Sequence, residues 1–208
     1  MVSENRPPVV LATRNECKLR ELQRLTRGLG VRWLTLKDIS WVPPVVENGR
    51  TFAANARKKA LAVARATGHI VVADDSGLEV DALHGAPGVR SARYAGTHGH
   101  DAANNRKLLR ALRDVPDARR GAQFRCCIAV ADARGHVATV EDRVRGRIAG
   151  HPRGAHGFGY DPLFLIPRYH RTFAELGPRI KDRMSHRARA LKKARPLILR
   201  ALRATGRP

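Results

Sequence analysis

The chain has 208 residues and a mass of 23.0 kDa, enough for one domain or one domain with a lobe set into it, and its 43% hydrophobic content excludes wholesale disorder. No apolar run reaches the roughly 18 residues that cross a bilayer, and the N-terminal MVSENRPPVV lacks the charged-then-apolar layout of a signal, so a soluble cytoplasmic protein with no membrane partner is expected. Forty basic against 18 acidic residues leave a net charge of +22, which makes a polyanion the expected partner class; because 32 of the 40 are Arg, composition bias explains the charge as readily as selection for binding does. The three cysteines, Cys17, Cys126 and Cys127, are odd in number and two are adjacent, which suits neither a disulfide framework nor a CxxC metal site, so they read as reduced thiols in a reducing compartment.

In chain order, PPVVLAT (7–13) is a short strand, followed by a polar loop and a helix that begins near Asn15 and carries Leu19, Leu22 and Leu25. VRWLTL (31–36) reads as a second strand, and Pro43 and Pro44 forbid helix in the connection after it. Thr51 caps an Ala-rich helix from Phe52 to about Ala66, with Phe52, Ala56 and Ala60 on one face and Gly68 as its stop. IVVA (70–73) is a buried strand that delivers Asp74 and Asp75 at its end, LHGAPGVRSARYAG is a loop, and Asp101 is placed to cap a helix through about Leu112. Two strands around a turn at residues 133–135 form a hairpin, and GHPRGAHGFGYDP (150–162) is a glycine-rich loop. The last 30 residues hold eleven Lys or Arg against Asp182 alone and include a helix from Ser185 onward that Pro196 should kink or end.

Four of the 18 acids, Asp74, Asp75, Glu79 and Asp81, fall within eight residues. Adjacent carboxylates at a strand end repel unless a cation or a shared proton compensates, and hard divalent ions take one or two carboxylates plus substrate phosphates; the octapeptide alone reads more readily as an exposed turn with capping acids. LATRNECK aims backbone N–H groups and a positive helix end at an anion, with Lys18 in the first turn, although it matches no glycine-rich phosphate fingerprint and also reads as a capped surface helix. In GFGYDP, Phe158 and Tyr160 sit between glycines that let backbone approach a flat ligand, or simply make a turn. Ser185, His186 and Arg187 put an imidazole and a fork of fixed donors at a helix start, although the tripeptide alone reads more readily as a capped basic helix.

Taken together, ATRNECKLREL, ENGRTFAANARKKA, ADDSGLEVDALHGAPGVRSARYAG, GFGYDPLF and K-x-x-x-SHR-x-x-AL resemble, in order and spacing, the inosine triphosphate pyrophosphatase family, enzymes that clear non-standard purine nucleoside triphosphates. The resemblance covers about Val9 to Leu202. It implies an α/β fold in which a long mixed sheet is flanked by helices, residues 1–208 forming one domain of two lobes with the active site in the cleft between them, and a homodimer. It implies hydrolysis of ITP, dITP and XTP to the monophosphate and pyrophosphate. Mg²⁺ would be bound through Glu47 and Asp75 with Asp74 beside them, Asp75 also accepting the proton. The triphosphate would lie on Thr13, Arg14, Asn15, Glu16, Cys17 and Lys18, joined by Lys59 and Ser76. Phe158, Gly159, Tyr160 and Asp161 match the base-binding segment, with Lys181, His186 and Arg187 completing the nucleotide contacts.

Donors at Arg187 and His186 suit the C6 oxygen of hypoxanthine and xanthine and would face the amino group of adenine. The family's first loop usually reads T-G-N-x-G-K, whereas Arg14 and Cys17 stand here at the glycine positions and add side chains where backbone approaches phosphate. Two rivals follow from the residues: a pyrophosphatase with another base preference, and a basic nucleic-acid-binding protein using the C-terminal helix. The 5% aromatic content and the carboxylate cluster argue against the second, so no specific nucleic-acid partner is expected.

Overall fold

Val9, Val10 and Leu11 are fully buried, as a strand covered on both faces requires, and they build β1 (Pro8–Leu11). In the computed structural model, which describes residues 6–204, β1 is the centre of a parallel trio: β2 (Arg32–Thr35) pairs along one edge and β3 (Ile70–Val80) along the other, with Val9 opposite Trp33 and Ile70. Residues 1–5, the start of the stretch read for a signal, lie outside the described residues. Helices α1 (Glu16–Leu25) and α2 (Phe52–Thr67) make the connections. There follow α3 (Asp101–Ala111), β4 (Gly121–Ala131), β5 (Val137–Ile148), β6 (Phe164–Ile166), β7 (Arg171–Thr172), α4 (Phe173–Met184) and α5 (His186–Ala204). The seven strands form one sheet in the order β2-β1-β3-β4-β5-β6-β7, and β6 runs antiparallel to both neighbours, so the sheet is mixed as expected.

The chain divides into two compact units. The first comprises Met1–Asp75, Cys127–Glu141 and Ala190–Pro208; the second comprises Ser76–Cys126 and Asp142–Arg189. Strands β3, β4 and β5 and helix α5 each supply residues to both. The core of the first unit is aliphatic, built from β1, the Ala56, Ala60, Val63 and Ala64 stripe of α2, Val71 and Val72 of β3, and Ala190, Ala194 and Ile198 of α5. The core of the second is aromatic: Phe164 packs against Phe124 at 4.5 Å and Phe173 at 5.4 Å between ring centroids. Cys126 and Cys127, neighbours on β4, are both fully buried, and burial with Glu141 beside it pushes the Cys127 thiol up to about 12.

Local chemistry explains the helix ends. Asn15 and Thr51 accept hydrogen bonds from the N–H groups of Lys18 (2.9 Å) and Ala54 (3.1 Å), and Gly68 closes α2 in the left-handed conformation. Three expectations change. The strand read over 70–73 runs on to Val80, because Leu78 and Val80 continue the buried pattern and Gly77 makes no turn; Asp74 and Asp75 are therefore mid-strand residues. Asp101 is the first helical residue of α3, and its carboxylate caps nothing in that helix but accepts the Gly159 N–H at 2.6 Å. Pro196 does not end α5, which runs through it to Ala204: the ring is on the exposed face, where water can take the carbonyl left without a donor, while Ala194 and Ile198 hold the buried face on either side. The real interruption is earlier, within α4, where Gly177 turns to φ 72° ahead of Pro178.

Candidate active site

The two adjacent aspartates of β3 each meet a polar side chain from a helix. Asp74, with no exposed surface, meets the Lys18 ammonium of α1 at 3.1 Å. Asp75 accepts a hydrogen bond from the Asn55 amide of α2 at 2.9 Å. The repulsion expected of adjacent carboxylates is relieved by the Lys18 ammonium, which meets Asp74 and also acts on Asp75, and by the Asn55 amide on Asp75. Asn55 has a second task, since its Oδ1 accepts the Gly49 N–H at 2.7 Å and so ties the loop that carries Glu47 to the same helix. A Cβ at Gly49 would lie 2.7 Å from that oxygen, so glycine is required there. Glu47 in turn accepts from Lys59 Nζ at 2.9 Å.

Burial raises the Asp75 pKa above the ordinary carboxylate range; Lys18, the Asn55 hydrogen bond and Lys59 pull it down, and Glu47 pushes it up. Among the described residues no three His, Cys, Asp or Glu side chains converge as a metal-binding group. Two carboxylates, one held above its usual pKa by burial, fit a hard cation that takes its remaining oxygens from phosphate and water, and not an all-protein cage.

Around the first loop, the Asn15 side chain is spent on capping α1, and its own N–H donates to Thr13 Oγ1 at 3.2 Å, which leaves backbone and Lys18 to meet an anion. Arg14 is exposed; Glu16 turns to Lys37 at 2.5 Å; the Cys17 sulfur accepts from Arg20 at 3.2 Å. A cavity of about 460 Å³ opens beside this loop, lined by Thr13, Arg14 and Glu16 and by apolar Leu36, Ile39 and Trp41.

In the second unit, Arg187 is 1% exposed and donates from Nη2 to Ser76 Oγ at 2.8 Å. Lys181 Nζ pairs with Asp161 Oδ2 at 2.5 Å and lies 4.7 Å from the Phe158 ring centroid, and the Arg187 guanidinium carbon is 5.8 Å from the same centroid. The Phe158 N–H donates to Asp161 Oδ2 at 2.9 Å, a turn that leaves no room for a Cβ at Gly157, which would collide with that oxygen. The Tyr160 hydroxyl is committed to the core, donating to the Ser91 carbonyl at 2.9 Å, while the Ser91 hydroxyl accepts the Leu78 N–H at 2.9 Å. The RSARYAG stretch read as a loop therefore supports the GFGYDP loop. The Ser185 hydroxyl caps α5, and the buried His186 ring stacks on Phe124 at 4.8 Å. Sequence reasoning missed Asn55 and Asn105, whose Nδ2 donates to the Gly159 carbonyl at 3.0 Å, and gave Asp101 only a capping use. Their only signal was an amide or carboxylate inside otherwise Ala- and Leu-rich helical runs.

Residues 9–197 match the model of the Ham1 family. The dITP/XTP pyrophosphatase of Rhodopirellula baltica is 52% identical over 197 residues, 94% of this chain and 95% of its own length; that of Desulforamulus reducens is 50% identical over 192 residues, 92% and 96%. Among solved structures, a HAM1 protein from Coxiella burnetii superposes with a TM-score of 0.84 at 41% identity, covering 93% of this chain and 99% of that one; the Staphylococcus aureus Ham1 protein gives 0.82 at 36%, covering 92% and 97%. The motif order read from the sequence, the strand topology and these matches agree: the chain belongs to the Ham1 family.

Proposed function

We propose that this protein hydrolyses the non-standard purine nucleoside triphosphates ITP, dITP and XTP to the nucleoside monophosphate and pyrophosphate, keeping deaminated purines out of the nucleotide pool. The observation that carries the reading is the buried Asp74 and Asp75 pair with its lysine, amide and Glu47 surroundings. Relatives that are half identical over nine tenths of the chain are dITP/XTP pyrophosphatases, which supports the same substrates.

In this reading the triphosphate is taken by the backbone of residues 13–18, by Lys18 and Lys59, and by Ser76. Lys18 and Lys59 are at present paired with Asp74 and Glu47 and exchange those carboxylates for phosphate oxygens on binding. Glu47 and Asp75, with Asp74 beside them, would hold Mg²⁺, whose chemistry is to neutralise charge developing on the phosphate oxygens. Asp75, kept in place by Asn55, orients the attacking water and accepts its proton as pyrophosphate leaves. Phe158 provides a flat face for the base, and Arg187 and His186 provide donors for its C6 oxygen. The second unit's Asp161 fixes Lys181 and the Phe158 backbone together.

The test is pyrophosphate release from ITP, XTP, dITP, GTP and ATP with Mg²⁺ and with EDTA. Metal-dependent release from the first three alone is expected; silence across the panel overturns the reading. Asp75→Asn should lower kcat by about 100-fold or more while leaving thermal unfolding intact, as loss of a general base does. We further propose a homodimer in the cytoplasm, which light scattering should report as about twice the 23.0 kDa chain mass.

A further inference from the structure

Asp101 and Asn105 stand four residues apart on α3, a spacing that places both on one face of a helix. Both reach the same residue of the glycine-rich loop. The Asp101 carboxylate accepts the Gly159 N–H at 2.6 Å, and the Asn105 Nδ2 donates to the Gly159 carbonyl at 3.0 Å. Gly159 adopts φ +62°, so the two peptide groups that flank it are gripped in a conformation that few other residues hold. The first of those peptides is continuous with Phe158, the ring next to Lys181 and Arg187. Asn105 is only 8% exposed, and its Oδ1 has no hydrogen-bond partner among the described residues. The amide is thus kept at that place at the cost of a buried acceptor left unmade, which an apolar side chain would have avoided. A second tie runs along the same helix, where Asn104 Oδ1 accepts the Ala95 N–H at 2.7 Å and so joins α3 to the stretch whose Ser91 carbonyl receives the Tyr160 hydroxyl.

We propose that Asp101 and Asn105 are positioning residues for base recognition, which clamp the Gly159 peptides and thereby set the attitude of the Phe158 ring toward the purine. The proposal rests on the reading of Phe158 as the base platform. It places the selectivity of the site partly in a helix that touches no substrate. A loosened ring weakens the hold on the base and leaves the triphosphate contacts of the first unit as they were.

The experiment measures kcat and KM for dITP, XTP and ATP, together with the Ki of inorganic tripolyphosphate, a competitor with no base. Asp101→Ala and Asn105→Ala are each expected to raise KM for dITP and XTP about tenfold, the worth of one such hydrogen bond, with kcat and the tripolyphosphate Ki nearly unchanged and the preference for XTP over ATP reduced. Asp101→Asn, which retains an acceptor oxygen, should restore wild-type behaviour. Asn105→Asp, equal in size but without the donor, should repeat the loss and serves if the alanine variant does not fold. An unchanged KM in a wild-type background that hydrolyses dITP and XTP overturns this inference alone. So does a tripolyphosphate Ki that rises in step with KM, because that is general loosening. A wild-type protein inactive on both substrates overturns the functional reading, and this inference with it.

Discussion

Arg187 shows how much one buried side chain has to do. Its five N–H donors cannot be switched off by deprotonation, so each must find an acceptor or remain an unpaired buried donor. Ser76 takes one, and under the proposed function a 6-oxo purine would offer another where adenine would offer a donor. Arg187→Ala should therefore narrow the ratio of kcat/KM for XTP over ATP by roughly 5- to 150-fold, the equivalent of about 1 to 3 kcal/mol; an unchanged ratio would remove Arg187 from base reading. Lys18, Asp75 and Arg187 were singled out in the sequence through the family resemblance, and the structure gives each a polar partner: Asp74, Asn55 and Ser76 respectively. Asn55 was not legible. Within FAANARKKA it reads as a mildly unfavourable helix residue, and its value comes from two partners, Gly49 and Asp75, that lie 6 and 20 residues away. Asp101 misled for a related reason, since an aspartate at a helix start has a local use that the sequence suggests and a distant one that only the fold reveals.

Among the elements, those with chemical punctuation were readable: Asn15, Thr51 and Gly68 mark helix ends, and alternating burial with turn residues marks the β4–β5 hairpin. β3 was read too short, because acids in its middle look like a turn until buried Leu78 and Val80 show that the strand continues. α5 was read as kinked or ended at Pro196, since propensity weighs the missing N–H and not the buried stripe on either side. The helix tolerates Pro196 at a cost. Proline is roughly 3 kcal/mol worse than alanine in a helix interior, and its stiffening of the unfolded chain returns part of that. Pro196→Ala should thus raise unfolding free energy in urea by about 2 kcal/mol with no change in KM. A loss of stability would mean that the ring makes packing contacts worth more than the missing hydrogen bond.

For the molecule as a whole, +22 is more charge than the catalytic residues account for. On α5 the cations Arg189, Lys192, Lys193, Arg200 and Arg203 recur at helical spacing and avoid the Ala190, Ala194 and Ile198 face that is buried. Such a field draws triphosphates toward the protein from a distance and is screened by salt. Raising NaCl from about 20 to 200 mM should increase KM for dITP several-fold and leave kcat within about twofold; a flat KM would mean that the excess charge plays no part in substrate capture. Composition disclosed that charge but not its placement. The cysteines carry a different lesson. Reactivity belongs to the thiolate, and two of the three sulfurs are sealed in β4, one with its ionisation pushed to about 12. As strand neighbours they face away from each other, so they make no vicinal bond with one another. Their reduced state is enforced by the protein's own packing and says little about the compartment in which it works, so preparations kept in air without reductant should hold those two sulfurs unmodified for as long as the fold lasts.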